Sequence, residues 1–495
     1  MPPRNEPLAK RRRSEAIAAL GIPVAKMQRL VSLLQEGGSD VVDDLTSKWK
    51  TQTVNSSLFD AAAVAVELRL VGGGSYTWEY VDFARALDLF AQESADFAGI
   101  LRDLQQRKPS TPPEPWEIVV YFDETVPGDP LRLDQRRKFM SFYLAVKDVG
   151  PALLKHEFMW LPCAVLRTRI IKTVEGKFSR VLSVFLERLL VQMGNVRDGV
   201  YLNALNSLCF FRLGNLLADE DGFRQAYASM GANGMFCCLG CLNVCGNRSK
   251  SLAAFDATGR IVDITCVDSS RFHTCTDEDL WEKSNILARA RGVPMTKKAR
   301  EDRETHLGLH DAPHGLLQNM ALRAHVRPVS ALTHDPTHIL FSNGMVHTEL
   351  DRLVPLLKEA GVGYAELRAI LAPWERPMTF RGMNGLPNVF SESRKSHFDA
   401  TGHVQGFASE ILAVVPPLAH MLETTSLKDG LPLATQSFLK LARVVQIVQR
   451  VKQTSSTSGV IAQDSHPLIN TYYGSAAQPL GYGAAAQPLR SASAA

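Results

Sequence analysis

The stretch WEIVVYFDE (residues 116–124) decides the fold. It is an apolar run of strand length, rich in β-branched and aromatic residues, and it ends in the acids Asp123 and Glu124. Such a run reads as a buried strand whose carboxyl end carries charge. Downstream, VPGDP (126–130) has turn chemistry and KFMSFYLAV (138–146) alternates like a second strand. FMWLPCAVLRTRII (158–171) reads as a third strand with a bulge at Pro162. VEGKFSRVLSVFLERLLVQM (174–193) then puts Phe178, Val181, Leu182, Phe185 and Leu189 on one helical face. NSLCFFRLGNLLADEDGF (206–223) is a second apolar run ending in acids, and a helix, FRQAYASM, follows it. Three strands, a helix, a strand and a helix specify an α/β (α+β) arrangement built on a mixed sheet.

Outward from this core, the chain is organised in blocks. Residues 1–13 form a basic arm, expected to be disordered, and residues 14–107 carry amphipathic helical spacing. KPSTPPEP (108–115) is a Pro-rich linker that no helix can continue through. The first part of the core fills 116–230, a Cys-rich insertion 231–334, and a helical remainder of the core 335–452. Within that remainder, 335–360, 403–423 and 428–452 read as helices, the first stopping at Gly361. Residues 453–495 are rich in Ser, Thr, Gly and Ala and repeat AAQPL, the composition of a disordered tail.

At 495 residues, 45% hydrophobic and 21% charged, the chain has ordinary globular composition, which excludes collagen-like, coiled-coil and wholly disordered classes. No run of apolar residues is long enough to span a bilayer, so no membrane partner is expected. The basic start lacks the apolar region of a secretory signal, so an intracellular setting is expected. Lys and Arg number 55 against 51 Asp and Glu. Residues 1–13 hold five of those cations and one acid, so the rest of the chain is balanced. Any affinity for nucleic acid must come from local patches or from Lys10, Arg11, Arg12 and Arg13, a run that reads as a nuclear-localisation or phosphate-binding segment or as a solvated tail.

Three constellations offer chemistry. Asp123 and Asp219 sit at the ends of two strands that neighbour each other if the sheet is mixed, and paired carboxylates there would suit Mg²⁺. The bland alternative makes Asp219 or Asp221 an N-cap and Asp123 a turn residue. Six of the eight cysteines fall between Cys237 and Cys275, and a CxxC, Cys238 and Cys241, faces Cys266, His273 and Cys275 some 25–35 residues on. Cys238, Cys241, Cys266 and His273 form a candidate zinc set, with unligated buried thiols and a redox dithiol as the alternatives. Asp335-Pro-Thr-His338 opens a helix, where Asp335 can act as a cap. Glu410 is a lone acid in an apolar helical segment. Gly72, Gly73 and Gly74 lack the Lys-Ser/Thr that a phosphate loop needs.

The order of these features resembles the transposases of the Kyakuja–Dileera–Zisupton and Plavaka type, which have an RNase H-like core. The segments YFDETVPGDPLR, KFSRVLSVFL, LADEDGF, FCCLGCLNV and TDEDLWEK look like transposon-derived proteins of protist genomes, over roughly residues 115–455. The resemblance implies that Asp123 and Asp219 are the first two catalytic acids, that Cys238 and Cys241 are the family's CxxC, and that Asp335 with His338 is its DxxH. Glu410 is the candidate for the third acid on a late helix. It further implies DNA strand cleavage and transfer with Mg²⁺ or Mn²⁺, structural zinc, DNA as partner, a nuclear location and possible homo-oligomers. The low-complexity end departs from an intact element, which points to a truncated or inactive relic. A non-catalytic nucleic-acid-binding protein and a zinc-stabilised interaction scaffold are the competing functions.

Overall fold

The computed structural model describes residues 61–125, 138–246, 261–263, 266, 268–374 and 386–451. The chain divides into two compact units, Met1–Ile261 with His273–Asp335, and Val262–Phe272 with Pro336–Ala495. The Lys10–Arg13 run and the stretch 453–495 lie outside the described residues.

The first unit is built on a five-stranded mixed sheet. Its strands are β3 (Trp116–Thr125), β4 (Phe139–Val146), β5 (Leu161–Arg167), β8 (Phe211–Ala218) and β9 (Leu332–His334), in the order β9-β8-β3-β4-β5. β4 runs antiparallel to both β3 and β5, whereas β8 runs parallel to β3 and β9 parallel to β8. The central strand β3 is buried on both faces from Ile118 to Val120, as its unbroken apolar run requires. The bulge in β5 falls beside Pro162, where the pairing with β4 shifts register at Phe142 and Tyr143. β5 is an edge strand, which tolerates a proline without an amide donor.

Helix α3 (Lys177–Leu190) covers one sheet face through Phe178, Val181, Leu182, Phe185 and Leu189. Phe122 of β3 lies 5.4 Å, ring centre to ring centre, from Phe178, and Phe142 of β4 lies 5.1 Å from Phe185. These rings are essentially fully buried and dominate the core.

The structure corrects the helical reading of 14–107 in its described part. Residues 63–81 form a hairpin of β1 (Ala63–Arg69) and β2 (Ser75–Val81), turned by Gly72, Gly73 and Gly74, all at φ between 82° and 100°. Only then come α1 (Phe83–Glu93), capped by Asp82, and α2 (Ala95–Arg107), capped by Ser94. Trp78 of the hairpin packs 5.9 Å from Phe142 and its Nε1 donates to the Val165 carbonyl (3.1 Å), so the hairpin shares the core of the sheet. The linker 108–115 is non-helical as expected, yet it is tethered: Trp116 Nε1 donates to Lys108 O (2.8 Å) and Ser110 Oγ to Phe210 O (2.7 Å).

The apolar run 206–218 is also subdivided, into a small hairpin of β6 (Val200–Leu202) and β7 (Ser207–Cys209) followed by β8. Helix α4 (Glu220–Ala226) follows β8, and α5 (Asp277–Ala290) and α6 (Lys297–Leu307) lie in the stretch read as an insertion. β9 was not foreseen. It interrupts the chain just ahead of the first helix of the second unit.

The second unit is helical, with α7 (Met345–Glu359), α8 (Tyr364–Leu371), α9 (Glu392–Thr401), α10 (Ala408–Thr424) and α11 (Pro432–Val451). Its core takes Val346, Leu350, Leu353 and Leu357 from α7, Ile411, Val414, Leu418 and Leu422 from α10, and Phe438, Leu441 and Val445 from α11. No helix among the described residues is long and apolar enough to cross a membrane.

Candidate active site

The strands that carry the acids are neighbours. Tyr121 pairs with Leu217 across β3 and β8, and Leu217 pairs with Thr333 across β8 and β9. Asp123, Asp219 and Asp335 each stand two residues beyond those partners. Side chains alternate along a strand, so the three aspartates continue one face at the carboxyl ends of three adjacent parallel strands. The Asp335 amide donates to the Ala218 carbonyl (2.9 Å), which extends the ladder past the last paired residue.

The phenol of Tyr121 reports on all three. Its Oη donates to Asp123 Oδ2 (3.2 Å). Burial pushes this phenol above its ordinary range, and the charges of Asp123, Asp335 and Asp219 push it further in the same direction. The remaining acids are drawn away from this face. Glu124 binds Lys138 (2.8 Å) and the Thr168 hydroxyl (2.7 Å), and Asp221 binds Arg224 and Gln225. Glu220, largely exposed, lies 3.8 Å from His334 Nδ1.

Asp219 also satisfies the structural alternative. Its Oδ1 accepts from the Gly222 amide (2.6 Å) as the N-cap of α4. Gly222 leaves room for this, since a Cβ there would stand 3.0 Å from the same oxygen. Capping engages one carboxylate oxygen and does not turn the residue from its strand end, so both roles coexist. His334, on the opposite face and edge-on to Phe223 (5.1 Å), is pushed below the ordinary imidazole range by burial, against the pull of Asp219.

Glu410 is placed differently. It lies in the second unit, where its carboxylate takes two bonds from Arg394 Nη2 (3.0 and 3.1 Å) and one from the Phe407 amide (2.9 Å). Only 6% of the side chain is exposed. The sequence reading saw a lone buried acid, and its partner was sixteen residues upstream.

Among the described residues, no three His, Cys, Asp or Glu side chains form a group able to hold a metal ion as they stand. The donor chemistry of the aspartates nevertheless fits Mg²⁺, which takes one or two carboxylates and fills its shell with water and substrate phosphates. Clustered acids are also costly in the absence of a cation.

The cysteines group otherwise than the sequence suggested. Cys241 pairs with Thr274 in a backbone bridge, and the Cys275 amide donates to Gly240 O (3.0 Å). Burial raises the Cys241 thiol, and Cys238, Cys237 and Cys275 raise it further. Burial likewise pushes Cys275 up to about 11. The backbone thus sets Cys275 beside the CxxC turn. Cys266 belongs to the second unit, and His273 is exposed, its amide bound to Asn243 Oδ1 (2.8 Å).

Comparison of the chain with protein-family models and with curated proteins finds no match.

Proposed function

We propose that the first unit is a metal-dependent phosphodiester-processing core of the transposase type, with Asp123, Asp219 and Asp335 as its acids. The carrying observation is the pairing register that sets Asp123, Asp219 and Asp335 on one face at the carboxyl ends of the adjacent parallel strands β3, β8 and β9. The strand order, with three antiparallel strands followed by two parallel to the first, supports an RNase H-like description. In this reading the third acid is Asp335, at the end of β9, and Glu410 acts structurally through Arg394.

Each step assigned to the chain is electrostatic or positional. Asp123, Asp219 and Asp335 would hold Mg²⁺ or Mn²⁺, which supplies charge neutralisation at a scissile phosphate and an activated water or 3′-hydroxyl. Tyr121 orients Asp123 by donating to Oδ2. The N-cap bond fixes Asp219 Oδ1 against the start of α4. Tyr143, stacked on Tyr121 (5.9 Å), and Trp160, edge-on to it (6.1 Å), wall the same side of the site with aromatic surface. DNA is the proposed substrate and partner, in the nucleus.

The test is nicking of supercoiled plasmid in Mg²⁺ or Mn²⁺. Wild type should nick, and Asp123→Asn, Asp219→Asn and Asp335→Asn should each lose about 10²-fold or more in rate, the scale of removing one preorganised electrostatic group. Nicking unchanged in all three variants would end the reading.

Zinc is proposed as a structural companion rather than a rival function. Its ligands would be Cys237, Cys238, Cys241 and Cys275, because the Cys241–Thr274 bridge and the Cys275 amide bond to Gly240 hold Cys275 beside the CxxC turn.

A further inference from the structure

At the amino ends of β3 and β8, opposite the aspartates, the first unit holds a cavity of about 560 Å³. Its charged lining comes from four separate segments: Glu117 of β3, Arg212 of β8, Arg197 ahead of β6, and His325 and Arg327 ahead of β9. Phe210 and the prolines Pro112, Pro113 and Pro115 give it one apolar side. Three guanidiniums thus face one carboxylate.

The details decide which charge is available. Glu117 accepts from Lys147 (2.7 Å) and from Arg212 (2.6 Å); burial favours its neutral form, but those two bonds prevail and hold it below the ordinary carboxylate range. Gly214 makes this placement possible, since a Cβ there would meet Glu117 Cβ at 2.9 Å. Arg327 is braced from behind by Asp277 (2.9 Å) and Glu278 (3.2 Å) and lies over the Trp281 ring, so its direction is fixed. Arg197 has no carboxylate partner among the described residues; its Nη1 donates to Leu190 O (3.3 Å) and to His325 Nε2 (2.9 Å). With Nε2 accepting, His325 is neutral, and burial and the Arg197 charge both favour that form. The lining therefore carries a net positive charge, with Arg197 its cation free of a carboxylate among the described residues and Arg212 and Arg327 directed by their own ion pairs.

We propose that this cavity binds a phosphate group, with Arg197 as the principal cation and Arg212 and Arg327 flanking it. Planar guanidiniums bind phosphate oxygens in paired hydrogen bonds, and a site with surplus positive charge beside an aromatic ring suits the phosphate of a nucleic-acid strand or of a free phosphorylated small molecule. The site does not depend on the aspartate cluster, being at the other end of the sheet.

Both sources are tested with the full chain in buffer without added Mg²⁺ or Mn²⁺, so that divalent-metal chemistry is silent and the proposed structural zinc stays in place. One arm titrates pyrophosphate by calorimetry; the other titrates a fluorescein-labelled single-stranded oligonucleotide by anisotropy, in a background with Lys10, Arg11, Arg12 and Arg13 changed to Ala. Arg197→Gln and Arg212→Gln should each weaken binding of whichever probe engages the site by about tenfold, the scale of a lost charge-assisted bond. For the oligonucleotide, the slope of log affinity against log salt should also fall by roughly 0.7 per contact removed. Arg197→Lys should restore part of the affinity, which distinguishes lost charge from misfolding. Arg289→Gln, at an exposed side chain of α5 outside the cavity, should leave binding unchanged. Binding of the oligonucleotide alone assigns the site to nucleic-acid backbone, and binding of pyrophosphate alone assigns it to a free anion. Failure of both probes, or equal affinity for wild type and Arg197→Gln, overturns the proposal without touching the catalytic reading.

Discussion

At the scale of single residues, position along a strand separates acids that look alike in sequence. Asp123 and Glu124 are adjacent, but alternation sends Glu124 to Lys138 and Thr168 while Asp123 shares a face with Asp219 and Asp335. Glu410 and Asp277 illustrate the other use of a buried acid. Removing Glu410 by Glu410→Ala leaves Arg394 buried without its counter-charge, a loss of about 3–5 kcal/mol that thermal unfolding would read. The aspartates of the site should behave in the opposite way, with little effect on unfolding. Asp277 is 3% exposed and accepts from Arg327, from the Val329 and Ser330 amides and from the Ser330 hydroxyl. Burial would raise its carboxyl, but these bonds prevail and lower it. A lowered folded-state value contributes stability that is fully present above the unfolded carboxyl range of about 3.9 and is lost as pH falls through the folded value. Asp277→Asn should cost about 2–3 kcal/mol at neutral pH and flatten the acid limb of the stability curve. An unchanged acid limb would show that these bonds contribute nothing.

At the scale of elements, legibility followed burial pattern and length. The strand at 116–124 was readable because its apolar run is continuous and ends abruptly in acids, and α3 because five apolar residues fall on one face. The hairpin at 63–81 was not. AVAVELR is rich in helix formers, and its strand character comes from packing against the sheet; the three glycines were read as a loop and are in fact the hairpin turn. β9 has three residues, too few to show any period, and so Asp335 read as a helix cap although it extends a parallel strand. The Cys segment was legible only in part. CxxC is local, whereas the placement of Cys275 beside it depends on how the strand-like segments at Cys241 and Thr274 pair. Metal analysis of the purified full chain should show zinc that is reduced by Cys241→Ser or Cys275→Ser and retained by Cys266→Ser. Zinc lost equally in all three would contradict the grouping.

At the scale of the whole molecule, the first unit carries opposite charge at the two ends of its sheet, acids beyond the carboxyl ends of the parallel strands and guanidiniums at their amino ends. Open sheets with parallel strands bind ligands at the carboxyl ends, where successive strands deliver side chains to one place. That Asp123 and Asp219 end strands is legible in the sequence; Asp335 is set beside them by a strand of only three residues. The most direct test of the central claim is a Mn²⁺ titration of the full chain followed by electron paramagnetic resonance. Wild type should bind Mn²⁺, Asp123→Asn and Asp335→Asn should each bind it about tenfold or more weakly, a loss of at least 1.4 kcal/mol, and Glu410→Gln should bind as wild type does. Equal affinity in wild type and Asp335→Asn, or a loss confined to Glu410→Gln, would contradict the account.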